Sequence, residues 1–121
     1  MDVSIVIPLY NESESLIELN EWINKSLISS GFSYEIIYID DGSDDQSWNI
    51  IEDIAKENNN VKGISFIRNF GKSQALRVGF YESKGDYVAT LDADLQDSPE
   101  EIPLMIDKMI KNNLDMISGW K

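Results

Sequence analysis

Apolar and polar positions fall along this chain in blocks. Residues 3–8 are a nearly continuous apolar run rich in valine and isoleucine. Such a run predicts a strand buried on both faces, as in a parallel sheet, here ended by Pro8. Residues 13–29 carry Leu16, Leu19, Ile23 and Leu27 at helical spacing, with Ser13 as the expected cap and Gly31 as the terminator. A second strand is expected at 34–39. The turn Asp40-Asp41-Gly42-Ser43-Asp44-Asp45 leads from it into a helix over 46–57, facing inward through Trp48, Ile51, Ile54 and Ala55. A strand at 62–67, a helix at 73–83 and a strand at 86–91 follow. Ser98-Pro99-Glu100-Glu101 has the order of a helix start, for a helix running to about 112 with Pro103 one turn inside it. A fifth strand is expected at 114–118. Alternating strands and helices with buried strands predict an α/β domain, mainly a parallel sheet with helices on both faces. Ending on a strand with an open edge suggests a fragment of a longer protein.

Composition narrows the functions open to such a domain. The 121 residues suit one domain, and 42% are apolar, enough for a core. Cysteine is absent, which excludes disulfides and thiolate chemistry and suits a reducing compartment. Histidine is also absent, so proton transfer near neutral pH would need a shifted carboxylate or lysine. The net charge of -12 repels nucleic acid, and no nucleic-acid partner is expected. No apolar run has the length of a membrane span, and no basic segment after Met1 suggests a signal peptide.

The candidate chemistry collects after the strands. Polar clusters at 8–12, 40–43, 68–72 and 92–96 each follow one of them. Open α/β sheets bind ligands in the crevice outside the carboxyl ends of their strands. Asp92-Ala93-Asp94 has the two-residue period of extended chain, so both carboxylates can face one side, with Gln96 in the same parity. Hard oxygens there suit Mg²⁺ or Mn²⁺ completed by phosphates and water. Standing alone, an Asp-x-Asp reads as a solvated turn; beside three other such clusters it reads as a ligand site. Asp40 and Asp41 exceed what a helix cap needs and could accept hydrogen bonds from a base or a ribose. Tyr10-Asn11-Glu12 offers a stacking ring and acceptors, or simply a capped loop. Arg68 and Lys72, with Arg77 further on, suit an anion or serve charge balance.

These four motifs, in order, resemble family 2 glycosyltransferases of the GT-A fold. The likeness is strongest to the branch that includes dolichol-phosphate mannosyltransferase and bacterial polyprenyl-phosphate glycosyltransferases, and it covers the whole chain. It implies a Rossmann-like nucleotide-diphospho-sugar-binding domain over residues 1–121, the donor-binding part of a longer enzyme. The implied reaction is inverting sugar transfer from a UDP- or GDP-linked donor. The implied acceptor is a lipid phosphate such as a polyprenyl phosphate, or a glycan, engaged by a C-terminal part. The implied setting is cell-envelope glycan synthesis in the cytoplasm or at the cytoplasmic face of a membrane. Under the resemblance Pro8, Tyr10, Asn11, Glu12, Asp40 and Asp41 contact the nucleoside side of the donor. Arg68, Gly71 and Lys72 flank it, and Asp92 and Ala93 lie along the ribose and diphosphate. Asp94 of this DXD motif, with Asp92 and Gln96, holds Mg²⁺ or Mn²⁺. No catalytic base is assigned. Ser98 departs from the Pro-Pro-Glu common in the branch. The alternatives are a binding module without turnover and a receiver-like signalling domain. The latter needs acids after the first strand and an acceptor Asp after the third, where this chain has Tyr10-Asn11-Glu12 and Arg68-Asn69-Phe70.

Overall fold

The computed structural model describes residues 1–96 and 98–111. The expected strand at 114–118, with Trp120 and Lys121, lies outside the described residues. The chain runs β1 (Val3–Leu9), α1 (Leu16–Ile28), β2 (Tyr34–Asp40), α2 (Ser47–Glu57), β3 (Val61–Ser65), α3 (Lys72–Glu82), β4 (Tyr87–Thr90) and α4 (Glu101–Lys111). The described strands make one parallel sheet in the order β3-β2-β1-β4. Every residue of β1 is buried, and so is β2 after Tyr34, because these strands have neighbours on both edges and helices on both faces. β3 and β4 at the edges are only partly covered.

The core lies in two layers. Ile5, Ile7, Ile36 and Tyr38 face Leu19, Ile23, Ile51 and Ile102 of α1, α2 and α4. Val6, Ile37 and Ile39 face the other way, onto Ala75 and Val78 of α3. The alternation of parity along β1 and β2 sends each isoleucine or valine to one layer. Each such side chain, taken fully out of water, contributes about 1.5–3 kcal/mol.

Pro8 does not end its strand. It pairs in register with Ile39, and β1 continues to Leu9. The Val6 carbonyl accepts from Leu91 N–H, and the Leu9 carbonyl accepts from Asp41 N–H. Backbone groups alternate sides, so Pro8 belongs to the β4 side, where strand pairing stops at Val6 and Thr90. No ladder hydrogen bond is therefore lost to the missing N–H. Pro103 likewise sits in the first turn of α4, where an N–H has no helical acceptor, so no kink is required.

A polar pin fastens the amino edge of the sheet. Glu35, only 4% exposed, accepts from Ser4 Oγ (2.5 Å) and Lys84 N–H (2.8 Å), and Lys62 Nζ lies 3.6 Å away. Ser4 Oγ in turn accepts from Gly85 N–H at 2.8 Å. Burial pushes the Glu35 carboxyl up, but the Ser4 and Lys84 hydrogen bonds and the Lys62 charge together hold it below its usual range. This pin sets the start of β4, and hence the height at which β4 delivers its acids.

Candidate functional site

From β1 to β3 the chain moves outward in one direction, then returns past both strands to lay β4 beside β1. The loops after β1 and β4 therefore lie side by side at the carboxyl ends of neighbouring strands, the edge where open α/β sheets bind ligands. A cavity of about 270 Å³ occupies this place. The end of β1 lines it with Pro8, the loop that follows with Tyr10 and Glu12, and the chain after β4 with Asp92, Ala93 and Asp94. Asp41 and Lys72 close its flank.

The loops are clipped to one another by hydrogen bonds that cross between them. Asn11 adopts a left-handed backbone (φ 54°), accessible to asparagine. Its N–H donates to Ser43 Oγ at 2.8 Å, and its Oδ1 accepts from Asp44 N–H at 3.0 Å. Glu12 N–H donates to Ser47 Oγ (3.0 Å) and Ser13 N–H to Asp45 Oδ2 (3.3 Å). Burial pushes the Asp45 carboxyl up, but hydrogen bonds from Ser47 and Ser13 outweigh it and leave the group below its usual range. Asn11 thus serves as a loop staple. Ser13, expected as the cap of α1, is spent on Asp45; the helix starts after Ser15.

Asp40 and Asp41 divide the work of the second loop. Asp40 is 1% exposed, stands outside the cavity, and accepts Ser43 N–H at 3.0 Å, closing the turn. Asp41 lines the cavity, yet its oxygens already accept Phe70 N–H (2.7 Å) and Gly71 N–H (3.0 Å). Its backbone carbonyl accepts from Asn69 Nδ2 at 3.2 Å. A carboxylate has about four acceptor sites, so Asp41 keeps capacity for a ligand while it shapes the loop after β3. Gly42 makes that approach possible, since a methyl group there would meet the Arg68 carbonyl carbon at 2.3 Å.

The acid pair does not have the extended chain that the two-residue parity assumed: β4 ends at Thr90, and Ala93 and Asp94 lie in a turn. Asp92 and Asp94 both line the cavity. The Ala93 carbonyl between them accepts Ser15 Oγ at 2.5 Å, tying the pair to the start of α1. Leu95 follows that turn with a left-handed backbone (φ 67°), so no extended period reaches Gln96. Gln96 is exposed and does not line the cavity; its N–H donates to Asp94 Oδ1 at 3.2 Å. Arg68 also stays outside, with its guanidinium 4.8 Å over the Phe70 ring. Lys72, the first residue of α3, reaches in and puts Nζ 2.8 Å from Asp92 Oδ1.

The cavity is electrostatically negative. Burial raises the Glu12 carboxyl above its usual value, and the charges of Asp94 and Asp45 raise it further. Among the described residues no three His, Cys, Asp or Glu side chains converge into a ready metal cage. Two carboxylates on one cavity wall nonetheless fit Mg²⁺ or Mn²⁺ of the kind that takes one or two protein oxygens and fills the rest with phosphate and water. The side chain of Gln96 falls outside this donor set. Ser43 and Asp45 belong to the turn that the sequence marks at 40–45, whereas Ser15 and Ser47 lie outside every such cluster. The one local signal was Asp45-Gln-Ser47, an Asx-turn spacing in which Asp45 Oδ1 accepts Ser47 N–H at 2.8 Å.

Comparison with known proteins agrees with this architecture. An undecaprenyl-phosphate 4-deoxy-4-formamido-L-arabinose transferase from Pseudomonas fluorescens (strain SBW25) is 48% identical over 107 residues, 88% of this chain and 31% of that protein. The protein of the same description from Shewanella sediminis (strain HAW-EB3) is 50% identical over 107 residues, 88% of this chain and 32% of its own length. This chain thus spans about a third of the length of these curated relatives. Among solved structures, S. aureus TarS 1-349 in complex with UDP-GlcNAc superposes with a TM-score of 0.71 at 26% identity, over 93% of this chain and 32% of that one. The family described as Glycosyl transferase family 2 matches residues 4–121, and with a GT-A-like parallel sheet beneath that match, this chain belongs to that family.

Proposed function

We propose that this chain binds the nucleotide-diphospho-sugar donor of a glycosyltransferase that transfers the sugar, with inversion, to a polyprenyl phosphate. The observation that carries the reading is the meeting of Asp92-Ala93-Asp94 with Tyr10, Glu12 and Asp41 around one cavity at the point where the strand order reverses. Undecaprenyl phosphate in the relatives' names and UDP-GlcNAc in the TarS complex support the acceptor and donor classes. A membrane-borne acceptor would place the reaction at the cytoplasmic face.

Tyr10, 46% exposed at the cavity, offers a ring for a base to stack on. The free acceptor capacity of Asp41 suits a base N–H or a ribose hydroxyl. The small side chain of Ala93 leaves the wall open for a diphosphate to lie against. A divalent ion on Asp92 and Asp94 would supply Lewis-acid stabilisation of the leaving diphosphate. The rest of the contribution is orientation by fixed loops. No base is needed from these residues, because a phosphate acceptor is already largely ionised near neutral pH.

A thermal-shift panel tests the reading. UDP or GDP raises Tm, Mn²⁺ or Mg²⁺ enlarges the rise, and Asp94→Asn removes the metal-dependent part. A folded sample whose Tm moves with no nucleotide, with or without metal, would overturn it.

A further inference from the structure

We propose that Lys72 is a built-in counter-ion of the acid pair, one that competes with a divalent cation for Asp92 and supports an anionic ligand when no metal is present. Among the described residues four carboxylates line the cavity, Glu12, Asp41, Asp92 and Asp94, and Lys72 is the one base. In a chain of net charge -12, an anion entering that cavity meets repulsion from nearly every side. Lys72 Nζ stands 2.8 Å from Asp92 Oδ1, on the wall a diphosphate would approach.

The geometry gives this ammonium a fixed base and a movable tip. Its backbone follows Gly71, whose N–H is held by the buried Asp41 carboxylate at 3.0 Å. Its side chain is 63% exposed, and that of Asp92 46%. An exposed lysine pair is weak and its stem flexible, so Nζ can exchange Asp92 for a phosphate oxygen at small cost. A divalent cation arriving on Asp92 repels Nζ and drives that exchange. The inference rests on the donor-binding reading and adds a division of labour to it. Lys72 carries metal-free binding, and the acid pair carries the metal-dependent part.

Removing the ammonium therefore has effects of opposite sign on two ligands. In Lys72→Gln, UDP or GDP binding measured by calorimetry in EDTA weakens about tenfold, the loss expected for a charge-assisted hydrogen bond. Mn²⁺ binding without nucleotide, read by electron paramagnetic resonance, tightens about threefold, because a weak exposed competitor is gone. Lys72→Arg keeps both values near wild type. If both ligands move the same way in Lys72→Gln, or neither moves, Lys72 is a surface charge and the inference is wrong. It is equally wrong if the wild type binds nucleotide with metal but not at all in EDTA. If the wild type binds no nucleotide under any condition, the donor-binding reading fails instead. The Mn²⁺ measurement then still decides whether Lys72 and the metal compete.

Discussion

Gly42 is the position where the site and the fold depend on a single hydrogen atom. Its φ is +77°, and an added Cβ would lie 2.3 Å from the Arg68 carbonyl carbon, 2.5 Å from Asn69 N and 2.7 Å from Arg68 Cα. All three atoms are backbone, so no side chain can rotate away. In Gly42→Ala the left-handed backbone costs about 1–2 kcal/mol. Forcing the two loops apart adds about 1–3 kcal/mol, as overpacking does elsewhere. Gly31 separates the two terms: its φ is +82°, but nothing lies within 4 Å of the added methyl. Gly31→Ala should therefore lose only the first term. For a chain of 121 residues, Tm falls by about 3–6 °C per kcal/mol. Urea and thermal unfolding followed by circular dichroism should rank the variants wild type, Gly31→Ala, Gly42→Ala. The loop displaced in Gly42→Ala carries the Phe70 and Gly71 amides that Asp41 holds. Its nucleotide-induced Tm rise should shrink as well, while that of Gly31→Ala stays. Equal destabilisation of the two variants would refute the close-approach argument, whatever the absolute values.

Two further predictions concern the carboxyl groups. Glu35 has a folded pKa below its unfolded value, so its contribution to stability is present above the unfolded pKa, near 4.5, and is lost as pH falls through the folded pKa. The urea midpoint of the wild type should drop across that acid window, and Glu35→Gln should flatten the drop. Glu35→Ala should cost on the order of 2–4 kcal/mol at pH 7, because Ser4 and Lys84 lose a buried acceptor. For Glu12, the Asp94→Asn change removes one of the charges that raise its carboxyl, so its titration followed by carbon NMR should move down. It should stay above the usual value, since burial is the larger cause; no movement would mean that the two groups are not neighbours in solution.

The elements were readable in the sequence because their signal is local. A two-residue or 3.6-residue period repeats within ten residues, and the inward set Leu16, Leu19, Ile23 and Leu27 is buried as that period requires. Boundaries were less readable: α1 begins at Leu16 because Ser13 and Ser15 bond across to Asp45 and Ala93, partners 32 and 78 residues away. The same distance in sequence hid the purpose of the second loop. Two adjacent aspartates looked alike, yet one closes its own turn and the other holds the loop after β3.

By itself the sequence determined that four polar clusters, one of them holding Asp92 and Asp94, would follow strands. It also carried the family likeness, since motif order and spacing are properties of the chain. Only the tertiary structure decided the strand order β3-β2-β1-β4, which sets the loops after β1 and β4 side by side around the cavity. It also put Asp40, Arg68 and Gln96 outside the cavity and Lys72 on Asp92. The physical reason is that side-chain direction follows from local period, whereas the partner of a charge or an amide depends on which loops the sheet brings together.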